Sequence, residues 1–117
     1  MKVDVKKVKI FVFVPVDNVA DVRGVVCSAG AGVIGNYSFC TSSTNVVGTF
    51  IPNDLAKPFI GKSNVMEFVD EVKLEFVCDI DKVKGVLSAL RSVHPYEEPA
   101  IDIVPLIDEE CFKDVSE

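Results

Sequence analysis

The hexapeptide His94-Pro95-Tyr96-Glu97-Glu98-Pro99 holds the one histidine of the chain, a phenol and two adjacent carboxylates. Side chains of these types can take up a proton, hold a metal ion, or bind a cationic or hydroxylated ligand. Imidazole suits a transition metal and carboxylate a harder ion, which makes His94, Glu97 and Glu98 the candidate metal ligands and a divalent ion a candidate cofactor, the cofactor itself being unknown from sequence. That set is thin, because one histidine without a fixed third ligand does not define a coordination shell. A purely structural arrangement competes with it: His94 bonded to the end of its own helix or interacting with the helix dipole, Tyr96 packed with its hydroxyl satisfied, and one glutamate reaching backbone amides. Small-ligand binding is the third reading. Perturbed groups cluster in sites and in structural networks alike, so the hexapeptide alone leaves all three open. No spacing supports a Ser/His/Asp triad, and no residue is assigned a catalytic role.

Elsewhere the chemistry is sparse. Gly35, Gly48 and Gly61 stand in no GxGxxG or Walker pattern, and are expected at turns and bulges, not around a phosphate. The cysteines Cys27, Cys40, Cys78 and Cys111 show no CxxC or close CxH spacing, which argues against a zinc knuckle or a redox pair. Cys27 and Cys78 fall on apolar faces and are expected as core thiols. Cys40 lies near a polar motif but has neither a histidine nor a helix amino end to lower its pKa.

The elements that must position the hexapeptide follow from periodicity. The residue before a proline is driven out of the helical region, so His94 is expected as the last residue its helix can hold. That helix opens at Asp79 or Asp81 and carries Val83, Val86, Leu87, Leu90 and Val93 at helical spacing. After the loop, 100–106 reads as a strand whose Pro105 implies a sheet edge or a strand end. Upstream, 8–14 is a nearly continuous β-branched and aromatic run, as in a central strand. A helix follows it, capped by Asp17 or Asn18, with Val19, Val22, Val25, Val26 and Ala29 on one face and Gly30 and Gly32 at its end. Residues 34–50 read as one long strand with a bulge or bend, 51–61 as a loop, and 65–77 as a strand with one wet face.

Strand, helix, strand, strand, helix, strand is an α+β pattern. With right-handed crossovers it closes as the ferredoxin-like arrangement, an antiparallel sheet in the order 4-1-3-2 with both helices on one face. Both sides of the first strand are apolar, so the face without helices is expected to be a large apolar surface covered by a partner subunit. At 117 residues, 49% of them apolar, the chain makes one domain, with a core at about 8–106 and an acidic tail at 107–117. A net charge of −6 without a basic cluster argues against nucleic acid and anionic membranes as main partners. The first apolar run is too short to span a bilayer and lacks a cleavage site, so the expected location is cytoplasmic.

The hexapeptide and the strand after it, together with Gly35-Asn36-Tyr37, Gly48-Thr49-Phe50-Ile51-Pro52 and Pro58-Phe59-Ile60-Gly61, resemble the YqfO-type domain. That domain is found inserted in NGG-one-interacting-factor-three-like proteins and as small separate bacterial proteins, and the likeness runs from about Val8 to Leu106. The resemblance implies a fold similar to CutA and the PII signal proteins, hence a homo-oligomer, a trimer above all. It also implies a ligand-sensing or regulatory module, because the metal ligands of the larger, hydrolase-like family members lie in halves that flank the insert. Two rivals remain, a CutA-like binder of divalent metal and an accessory part of a metal-dependent hydrolase. Ligand-binding residues on this reading are His94, Tyr96, Glu97 and Glu98 with Gly35, Asn36 and Tyr37. Topology puts the histidine loop at the sheet end of 51–61 and opposite Tyr37, so a site joining the two groups would form between subunits.

Overall fold

The computed structural model describes residues 2–113. Among these, a four-stranded antiparallel sheet is formed by β1 (Lys7–Pro15), β2 (Ser42–Phe50), β3 (Glu67–Asp79) and β4 (Ile101–Leu106), in the order β2-β3-β1-β4. This is the expected 4-1-3-2 order. Two helices, α1 (Val19–Ser28) and α2 (Val83–Val93), pack side by side on one face. β1 lies in the middle because both its sides can be buried, and Pro105 lies on an edge strand, where a missing N–H costs little.

The core is built from alternate residues. Val8, Ile10, Val12 and Val14 of β1 and Leu74, Phe76 and Cys78 of β3 face the helices, meeting Val22 and Val26 of α1 and Val86 and Leu90 of α2; Val72, in the same alternation on β3, is buried as well. Burying each such aliphatic side chain contributes about 1.5–3 kcal/mol. That contribution offsets the poor helix propensity of the valine-rich α1. Cys27 and Cys78 lie in this core, and burial pushes both thiols up.

Two element starts depart from the expected ones. The stretch 34–50 is not one strand: Ile34 and Tyr37 exchange both backbone bonds across a tight turn, with Gly35 at φ +56°. Phe39 is also in the left-handed region, at φ +56°, and β2 starts only at Ser42. Each helix is preceded by a 3-10 turn, Val16–Asn18 and Ile80–Lys82; α1 still starts where expected, with Asn18 at the N-cap position but no cap bond from its side chain. By contrast α2 opens at Val83, beyond Asp79 and Asp81. In the acidic tail a 3-10 turn covers Glu109–Phe112, while 114–117 lie outside the described residues.

The helix-free face is not the continuous apolar surface expected. The alternation that sends Leu74 and Phe76 under the helices sends Lys73 and Glu75 to the other side. There Lys9 pairs with Glu75 at 3.7 Å, and the Lys73 ammonium lies 4.7 Å from the centre of the Phe11 ring. Exposed apolar side chains stand instead where β2 and β3 run past β1, with Val47 64% and Phe68 68% exposed. Among the described residues no helix is long and apolar enough to cross a membrane.

Candidate ligand-binding site

Helix α2 ends as the pre-proline rule requires. Val93 is its last residue, and His94 takes the extended conformation at φ −69°, ψ 128°. That turn directs the imidazole across the end of the sheet. β4 pairs with β1 only as far as Val12, and Phe13 N–H still donates to Ala100, which leaves the Phe13 carbonyl without a strand partner from β4. His94 Nε2 fills the gap, donating to Phe13 O at 2.8 Å, and Nδ1 accepts from the Tyr96 backbone N–H at 3.1 Å. These bonds select the neutral tautomer protonated at Nε2. Burial lowers the His94 pKa, outweighing the Phe13 carbonyl and Glu71, which pull it up.

Tyr96 turns the other way, to the helix-free side. Its hydroxyl donates to Glu71 Oε2 at 2.7 Å. Burial, with that bond to Glu71 adding to it, pushes the phenol pKa well up. Glu71 belongs to β3 and is only 6% exposed. Its carboxylate occupies the space beside Gly48 on the neighbouring β2, where a Cβ would collide with Oε1. Gly48 is therefore no turn or bulge: it lies inside a strand and makes room for a buried acid.

Around this pair opens a cavity of about 470 Å³. Its floor is Phe13, Gly48 and Glu71, its walls are Phe50, Phe59 and Tyr96, and Glu97 and Glu98 stand at the rim. The Tyr96 ring lies 6.2 Å from Phe50 and 6.5 Å from Phe59, centre to centre, in tilted contacts. Loop 51–61 is tied to the histidine loop by one long-range bond, Lys57 N–H to Glu97 Oε1 at 3.0 Å. Within loop 51–61 the Asn53 side chain accepts from Leu55 N–H, and Gly61 turns at φ +102°.

The seven residues named from sequence separate into two groups. Tyr96, Glu97 and Glu98 line the cavity, and His94 braces it from behind. Gly35, Asn36 and Tyr37 lie at the opposite sheet end, where Gly32 N–H bonds the Val77 carbonyl, and they line no part of it. Nor do His94, Glu97 and Glu98 make a coordination set: both ring nitrogens are committed, and Glu97 already accepts an amide. No group of three His, Cys, Asp or Glu side chains among the described residues could hold a metal ion, so a metal does not fit this loop as folded.

Most of the lining is not among those seven residues, notably Phe13, Phe50, Phe59 and above all Glu71. By alternation Glu71 reads as one more residue of a wet face. The available signal was Gly48, since a glycine inside a strand marks the close approach of another group.

No family model matches the chain. It is 46% identical over 101 residues to the GTP cyclohydrolase 1 type 2 homolog of Halalkalibacterium halodurans, a match covering 86% of this chain and 27% of that protein. The Bacillus subtilis protein of the same description is 46% identical over 98 residues, covering 84% and 26%. The chain thus spans about a quarter of the length of these relatives. Among solved structures, a Bacillus cereus protein related to NIF3 superposes with a TM-score of 0.77 at 37% identity, covering 92% of this chain and 27% of that one. CutA1 from Shewanella sp. SIB1, at 17% identity and TM-score 0.65, covers 88% and 83%. PII from Arabidopsis thaliana bound to citrate, at 20% and 0.60, covers 90% and 79%. These last two share the fold.

Proposed function

Because the chain belongs with the YqfO-type domains of the NIF3-related family and folds like CutA and PII, we propose that it is a regulatory module that binds a small organic molecule. It works in the cytoplasm as a homo-oligomer, a trimer above all, and performs no chemistry of its own. The observation that carries this reading is the cavity of about 470 Å³ with three aromatic walls and one buried carboxylate. Ligand sites are concave and mostly apolar, with a few polar groups that fix orientation, and volumes of about 300–1,000 Å³ are usual. The polar groups present are suited to holding and not to proton transfer. Tyr96 is a poor acid with its pKa raised, and His94 has both nitrogens occupied outside the cavity. Four free cysteines favour a reducing compartment.

The relatives' description points to GTP, but a triphosphate would meet Glu71, Glu97 and Glu98 here with no basic side chain among the lining residues. If the chain serves such an enzyme, it does so as an accessory binding domain, a reading favoured by its coverage of about a quarter of those proteins. Titration with a panel of ring-bearing small molecules, followed by amide NMR, tests the proposal. Signals of Gly48, Phe50, Phe59 and Tyr96 should move while those of Gly35 to Tyr37 stay in place. A panel that leaves the first group untouched defeats the reading.

A further inference from the structure

We infer that the pocket selects a compact cation carried on an apolar ring, such as an aryl amidine, amine or guanidine, with Glu71 as its counter-charge. This rests on the reading of the cavity as a ligand site and adds the class of ligand. A carboxylate that is 6% exposed is normally paired with a cation or neutralised. Glu71 takes part in none of the ion pairs among the described residues. Tyr96 satisfies Oε2 alone, and Oε1 lies over Gly48 at the cavity floor.

The protein's own cations are turned elsewhere. Lys73, two residues along β3, lies on the Phe11 ring, further from this end of the sheet. His94 is held neutral by its two hydrogen bonds and does not line the cavity. No Lys, Arg or His side chain is among the lining residues, whereas three carboxylates are. Two features then favour a cation on a ring. Negative groups in an apolar cleft concentrate the field on whatever enters, and the faces of Phe50, Phe59 and Tyr96 attract positive charge while packing on a flat body.

Three probes of one shape isolate charge: benzamidine, benzamide and benzoate, titrated into the full chain and followed by amide NMR. Benzamidine should move the signals of Gly48, Phe50 and Tyr96 and bind at least about tenfold tighter than benzamide, the scale of one charge-assisted hydrogen bond, with benzoate silent. Glu71→Gln should abolish the preference and keep the weak binding of benzamide. Benzamide binding as tightly as benzamidine, or benzoate binding at the same signals, overturns the cation class and leaves the pocket standing. Silence of all three at those signals overturns both. Should Glu71→Gln fail to fold, the ligand is varied in the parent chain instead: benzylamine must bind at the same signals at least about tenfold tighter than benzyl alcohol, and equal binding of the two overturns the inference.

Discussion

His94 shows how a residue whose type suggests chemistry can be spent on architecture. Its ring supplies the bond that β4 stops short of supplying, and in doing so fixes the loop that carries Tyr96, Glu97 and Glu98. Burial lowers its pKa from the ordinary value of 6.5, so the unfolded chain takes up this proton more readily than the folded one. Stability from this residue is therefore fully present above the unfolded value, declines as pH falls below it, and levels off beneath the folded value. The melting temperature should drop on acidification from pH about 7, with a slope of no more than one proton. His94→Gln keeps an N–H donor but cannot titrate, so the difference between variant and parent should isolate the effect. Parallel pH profiles for the two proteins would refute it. That the helix ends here was legible from Pro95 alone, by local sterics. Which atoms the imidazole meets was not, because Phe13 is distant in sequence and only the sheet brings it near.

At the scale of elements, β2 and β3 build the site by a mutual concession. Gly48 gives up its side chain, and Glu71 fills the space with a carboxylate bonded to Tyr96. Gly48→Ala should push Glu71 out of place and break that bond, costing about 1–3 kcal/mol, as for a buried polar group losing its partner. In a Glu71→Ala background the same substitution should cost almost nothing. A double-mutant cycle by urea denaturation measures this coupling, and additive effects would refute it.

All six elements are legible in the sequence because their periods of two and three to four are strong local signals, but the start of β2 is not. The alternation of Gly35 to Cys40 mimics a strand, and nothing local announces that Phe39 adopts a positive φ. The start of α2 slips for a similar reason: Asp79 and Asp81 resemble caps, but the 3-10 turn Ile80–Lys82 stands between β3 and the helix.

For the whole molecule, topology was legible because right-handed crossovers leave few ways to close two βαβ halves. The character of the helix-free face was not. β1, apolar on both sides, points to an oily face, whereas β3 decides its character by presenting Lys73 and Glu75 there. On the proposed homo-oligomer, the apolar surface for copies to hide is the extension of β2 and β3, where Val47 and Phe68 are exposed. Self-association should therefore be lost in Phe68→Glu, with sedimentation or light scattering falling to the monomer mass at micromolar concentration. A parent chain that is already monomeric would refute the proposed assembly.

That extension has one more consequence. β1 ends at Pro15, opposite Glu71, so among the described residues Glu67–Asp70 and Val47–Phe50 have only each other as strand neighbours. A two-stranded ribbon opens at lower free energy than the sheet it grows from. In deuterated water its amides should exchange well before those of Leu74 and Phe76 on the same strand. Because Gly48, Thr49 and Phe50 also line the cavity, any molecule lodged there would be written as slowed exchange along the ribbon, read without a label on the ligand.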